Sequence, residues 1–173
     1  MRTALFFAAG LLALAASAHA HGYRIADIEI GHPWTGATPP AATVASGYLK
    51  LVNHGAAADR LVAASTPAAA RVEIHEVAIV DGVARMRAVT DGIEIPAGGT
   101  VELAPGGYHL MLIDLRQPIA EGDRIPMTLE FESSGSVDVE LAVEAALPAS
   151  AGHGGGHEAH STAHDHGGHA AGD

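Results

Sequence analysis

The 173-residue sequence contains no cysteine. That absence excludes disulfide staples, thiol nucleophiles, thiol–disulfide exchange and any copper site built on a cysteine thiolate. The fold must be held by its hydrophobic core alone, and residues 21–147 are a long enough stretch to bury one. Basic residues are also scarce, with 9 Lys and Arg against 20 Asp and Glu. No basic stripe is available to neutralise phosphates, so nucleic acid and anionic membrane surfaces are excluded as partners and cations are favoured. Long apolar runs are missing beyond the N-terminus. The run from Ala4 to Ala16 is itself shorter than the roughly 20 residues a membrane-spanning helix needs.

That run has the grammar of a secretory signal. Arg2 is the sole charge in the first twenty residues, and Ala18-His19-Ala20 supplies small residues where a signal peptidase reads. Residues 1–20 are expected to be cleaved after Ala20, leaving an exported, periplasmic chain with no membrane insertion. A second change of composition follows Pro148, where the sequence becomes almost wholly Ala, Gly, Ser and His. Residues 148–173 lack apolar periodicity and are expected to be a disordered, His-rich tail, because they cannot bury enough surface to offset their ordering entropy. His153, His157, His160, His164, His166 and His169 lie in it, half of the 12 histidines.

Between these ends the chain reads as all-β. The stretches 23–30, 44–53, 71–80, 106–115, 124–132 and 136–144 alternate apolar and polar residues or are rich in β-branched ones. Asp81-Gly82, Asp91-Gly92, Gly98-Gly99, Pro105-Gly106-Gly107 and Glu121-Gly122-Asp123 punctuate them. No helix of ten or more residues is expected between 20 and 147. The spacing predicts about eight strands in an antiparallel Greek-key barrel or sandwich.

Chemistry concentrates in the stretch GGYHLMLIDL, residues 106–115. Residues i and i+2 of a strand share a face, so His109 and Met111 point one way while Leu110 and Leu112 point the other, into a core. Upstream, His75 and Met86 flank the Asp81-Gly82 turn, which is expected to fold their strands into a hairpin. Thioether sulfur is a soft donor that hard cations ignore. Two imidazoles with two thioethers therefore favour Cu(I) over Zn(II), Mg(II) or Ca(II).

The segments 32–55, 58–76, 86–115 and 121–131 resemble the periplasmic copper chaperones of the PCu(A)C type, and the similarity extends over nearly all of residues 28–144. The resemblance rests on a His, a Met after ten intervening residues, and a later His-x-Met, matched here by His75, Met86, His109 and Met111. It implies that these four hold Cu(I), that the fold is a cupredoxin-like β-barrel, and that the protein carries copper and does no catalysis. It further implies delivery to the CuA centre in cytochrome oxidase subunit II, alongside a thioredoxin-like copper chaperone. The segment between Met86 and His109 is one residue longer than the family pattern. Val77 and Ala84 stand where relatives carry further methionines, which removes soft donors beside the site.

The tail histidines form a different ligand set, suited to Cu(II), Zn(II) or Ni(II). Two rival readings compete with a copper carrier. Cleavage after Ala20 would expose His21 as an N-terminal amine with its own imidazole, the start of a copper-dependent redox enzyme. A plain β-sandwich interaction module with a metal-buffering tail would leave His75, Met86, His109 and Met111 as packing residues.

Overall fold

Residues 22–146 are described by a computed structural model and form eleven strands and no helix. They are β1 (Tyr23–Ile25), β2 (Ile28–Gly36), β3 (Val44–Asn53), β4 (Asp59–Ser65), β5 (Ala69–Val80), β6 (Val83–Ala88), β7 (Ile93–Ile95), β8 (Thr100–Leu103), β9 (Tyr108–Leu115), β10 (Arg124–Phe131) and β11 (Gly135–Glu144). The segment expected to be a signal peptide, His21 and all six tail histidines lie outside the described residues.

Period-two alternation builds the core. Ile125, Met127, Leu129 and Phe131 of β10 are buried together with Val139, Leu141 and Val143 of β11, and the residues between them face outward. Leu110 and Leu112 of β9 are fully buried, as their parity demands. All strands join one open sheet in the order β6-β5-β9-β8-β3-β2-β11-β10-β4-β7, with β1 added to β2 and a further pairing of β9 with β3.

Two details differ from the sequence expectation. The sheet is mixed, because β11 runs parallel to β2 and β8 parallel to β9. The strands number eleven against the expected eight. Part of the difference arises because the stretch 23–30 is cut by a turn at Ala26, whose backbone is left-handed (φ 46°). The rest comes from β7 and β8, which have only three and four residues.

The hairpin between β5 and β6 closes as its sequence requires. Asp81 and Gly82 both take positive φ, 53° and 77°, the conformation of a type I′ turn whose twist matches its flanking strands. This turn fixes the register of the hairpin and, with it, the placement of Met86.

Candidate metal centre

Register alone gathers the four residues of interest on one face. In the β5–β9 ladder His75 lies directly opposite His109, and Glu73 opposite Met111. In the β5–β6 ladder Met86 lies opposite Val77, two positions along from His75. Directly opposed residues share a face, as do residues i and i+2, so His75, His109, Met111 and Met86 all project from the same side of β6-β5-β9. The hairpin expected from Asp81-Gly82 therefore does what the sequence asks of it.

Exposure grades outward across these strands. His109 is buried at 3% relative exposure and Met111 is half-buried, whereas Met86 is 50% exposed. Strand β6 is exposed along its whole length and pairs only with β5. The group is thus buried at His109 and, at the sheet edge by Met86, open to an approaching molecule.

The hydrogen bonds of the two imidazoles are complementary. His109 Nδ1 lies 3.1 Å from the Gly107 carbonyl, which can only accept, so Nδ1 carries the proton and Nε2 the lone pair. His75 Nε2 lies 2.9 Å from Glu73 Oε2, so here Nε2–H donates and Nδ1 carries the lone pair. Both lone-pair nitrogens, His75 Nδ1 and His109 Nε2, are buried with no hydrogen-bond partner among the described residues. The ring centroids stand 5.8 Å apart in an edge-to-face arrangement.

Among the described residues these orphans are exceptional. The other buried polar side chains, Thr35, Asn53 and Asp59, are all engaged. Thr35 donates to the Ser46 carbonyl at 2.9 Å, Asn53 donates to the carbonyls of Ala57 and Ile95, and Asp59 accepts from the amides of Arg60, Ser133 and Ser134. A buried acceptor left empty costs about 1–3 kcal/mol, and two on facing residues fit an absent electrophile better than a packing role.

Electrostatics agree with neutral donors. Burial, reinforced by the nearby His75, outweighs the bond to Gly107 and pushes the His109 imidazole below its ordinary pKa, favouring the metal-binding neutral form. The hydrogen bond from His75, followed by that from Arg71, holds the Glu73 carboxyl below the usual carboxylate range. Among the described residues, no group of three or more His, Asp or Glu side chains is placed to hold a metal. A metal bound here must recruit the methionines, which selects soft cations.

Glu73 and the carbonyl of Gly107 escaped the sequence reading. The first was legible in principle, since Arg71, Glu73 and His75 alternate along β5 and must share a face; the second, a main-chain atom, carries no sequence signal. Glu76 points away, as its parity requires, and pairs with Arg87. The remaining described histidines are spoken for: His32 meets Glu144 and His54 meets Glu29, each at 2.8 Å. His32 belongs to β2, at a register shift with φ 44°.

The LpqE-like family model, described as "Putative lipoprotein LpqE-like", matches residues 28–143. "Putative lipoprotein Lxx21020" of Leifsonia xyli subsp. xyli (strain CTCB07) is 34% identical over 131 residues, covering 76% of this chain and 78% of that protein. Among solved structures, the copper-bound PCuAC domain from PmoF2 is 33% identical with a TM-score of 0.61, covering 72% of this chain and 98% of its own. The solution structure of CuI-DR1885 from Deinococcus radiodurans is 28% identical with a TM-score of 0.56, covering 75% of this chain and 85% of that one.

Proposed function

Because the chain belongs to the LpqE-like family, the family of the PCu(A)C copper chaperones, we propose that it carries a single Cu(I) between His75 Nδ1, His109 Nε2 and the thioethers of Met86 and Met111. The observation that carries this reading is the pair of buried, unpartnered ring nitrogens on directly facing residues. All four donors are neutral, which suits a monovalent soft cation that must be released again. The half-exposed Met86 on an edge strand gives an acceptor access without opening the barrel. A carrier, with no acid or base poised over an open coordination position, accounts for the site better than an enzyme does.

The acceptor in this reading is a copper-poor protein of the envelope, the CuA centre of cytochrome oxidase subunit II, reached together with a thioredoxin-like copper chaperone. Export by the signal at residues 1–20 places the protein in the periplasm. The lipoprotein names of the relatives accord with export to the cell envelope.

The tail histidines, His153 to His169, act in this scheme as a Cu(II)-collecting sequence for the barrel. Glu144, at the end of β11, pairs with Gly36, and Thr35 pairs with Gly47, next to Ser46, the partner of Met111. Three strand spacings, about 14 Å, therefore separate the chain's exit from Met111. His153 stands nine residues beyond Glu144, and a chain of nine residues can reach at most about 30 Å. Removing residues 148–173 should slow loading of the barrel under limiting Cu(II) and a reductant while leaving its final affinity unchanged.

Competition titration with a Cu(I) chelator tests the central proposal. Wild-type protein should show one tight site, weakened at least as much as the 10- to 100-fold typical of disturbing a metal's outer partners by His109→Ala or by Met111→Ala. Wild-type affinity in both variants would remove the barrel site.

A further inference from the structure

His75 and His109 are held in different ways, and the difference assigns a role to a residue that is not itself a ligand. A main-chain carbonyl, Gly107, orients His109. His75 depends on a side chain: its Nε2 lies 2.9 Å from Glu73 Oε2. Glu73 is in turn fixed through its other oxygen, since Arg71 Nε donates to Oε1 at 3.0 Å. Arg71 is fixed again by Asp114, whose Oδ2 receives Nη1 at 3.0 Å.

The chain Asp114–Arg71–Glu73–His75 crosses from β9 to β5 and back towards the site. Arg71, Glu73 and His75 are at positions i, i+2 and i+4 of β5 and share its site-facing side. Asp114 follows Ile113, the direct partner of Arg71, and regular parity would send its side chain to the opposite face. Its backbone is left-handed, with φ 57°, a conformation that Asp tolerates better than most residues. The carboxylate consequently meets Arg71.

Resting on the copper reading above, we infer that Glu73 is the positioning residue of the site: by accepting the Nε2–H of His75 it commits Nδ1 to the metal and holds the ring in place to present it. Arg71 and Asp114 keep the carboxylate from swinging away to solvent, to which the Glu73 side chain is 38% exposed. A carboxylate behind a ligand imidazole also strengthens its donor nitrogen, and loss of such a partner typically lowers metal affinity about 10- to 100-fold. Glu73 does not compete for the metal, because it occupies the nitrogen opposite the one that is free.

Imidazole nitrogen NMR on the full-length chain, without copper and with one equivalent of Cu(I), tests this directly, since Cu(I) is diamagnetic; His75→Gln assigns the signals. The expected result is a His75 Nε2–H retained in both states, with the Nδ1 resonance moving on copper addition. Glu73→Ala should lose the slowly exchanging Nε2–H and bind Cu(I) about 10- to 100-fold more weakly, while keeping a cooperative thermal transition. Glu73→Gln, which keeps an acceptor without the charge, should recover part of that loss. Copper on Nε2 with a proton on Nδ1, or wild-type affinity in Glu73→Ala, overturns the inference and leaves the copper site standing. A wild-type chain that takes up no Cu(I) would remove both.

Discussion

His75 and His109 are direct partners in the β5–β9 ladder, and on their shared face each holds a buried nitrogen that no group among the described residues satisfies. Two facing strands have thus been given a defect in duplicate. A fold that satisfies its other buried polar side chains elsewhere, at Thr35, Asn53 and Asp59, keeps this pair open at the stability cost of two empty acceptors.

Removing one of those acceptors should stabilise the copper-free protein. His109→Leu deletes the unpartnered Nε2 and strands no partner, because the Gly107 carbonyl still accepts from the Val77 amide at 3.1 Å. Denaturant unfolding should show a gain of about 1 kcal/mol, with Cu(I) binding lost. A variant destabilised by several kcal/mol would mean that His109 is kept for packing.

Protons should compete with the metal over a defined range. The unfolded chain takes up a proton at a histidine near pH 6.5, whereas burial depresses the native pKa of His109. Its contribution to stability is therefore complete above about 6.5 and is lost as pH falls through the lower native value. Cu(I) affinity should hold level from pH 7.5 to about 6.5 and fall only below that. A decline that is already steep above neutrality would contradict a buried, neutral imidazole.

Acid stability should depend on Asp59, far from the site. Burial alone would raise its pKa, but hydrogen bonds from Ser134, Ser133 and Arg60 outweigh that and hold it below the ordinary value. A carboxylate with a depressed native pKa stabilises the fold above the unfolded value, about 3.9, and loses that contribution as pH falls through the native one. Asp59→Ala should cost about 1–3 kcal/mol at pH 7, and the gap to wild type should narrow as the pH is lowered through this range. A gap that stays constant down to pH 2 would show that the cost is one of shape alone.

Much of this was legible in the residues. Leu110 and Leu112 declared a core face by parity and so placed His109 and Met111 on the other; Asp81-Gly82 declared the hairpin that sets Met86 beside His75. What escaped the sequence was long-range pairing. The parallel contact of β11 with β2 joins residues more than a hundred positions apart, and no local pattern encodes it. The strands β7 and β8 have three and four residues, too few for alternation to be distinguished from chance, and owe their form to neighbours. The same holds at the site, where the role of the Gly107 carbonyl arises only once β9 has been laid against β5.

X-ray absorption at the copper edge, on the full chain loaded with one equivalent of Cu(I), tests the central claim most directly, because sulfur and nitrogen scatter differently and the rival tail donors contain no sulfur. The account predicts a mixed shell of sulfur and nitrogen that loses sulfur in Met111→Ala and in Met86→Ala and loses nitrogen in His109→Ala. A shell of nitrogen and oxygen alone, unchanged by those substitutions, would contradict it and place the copper outside the barrel.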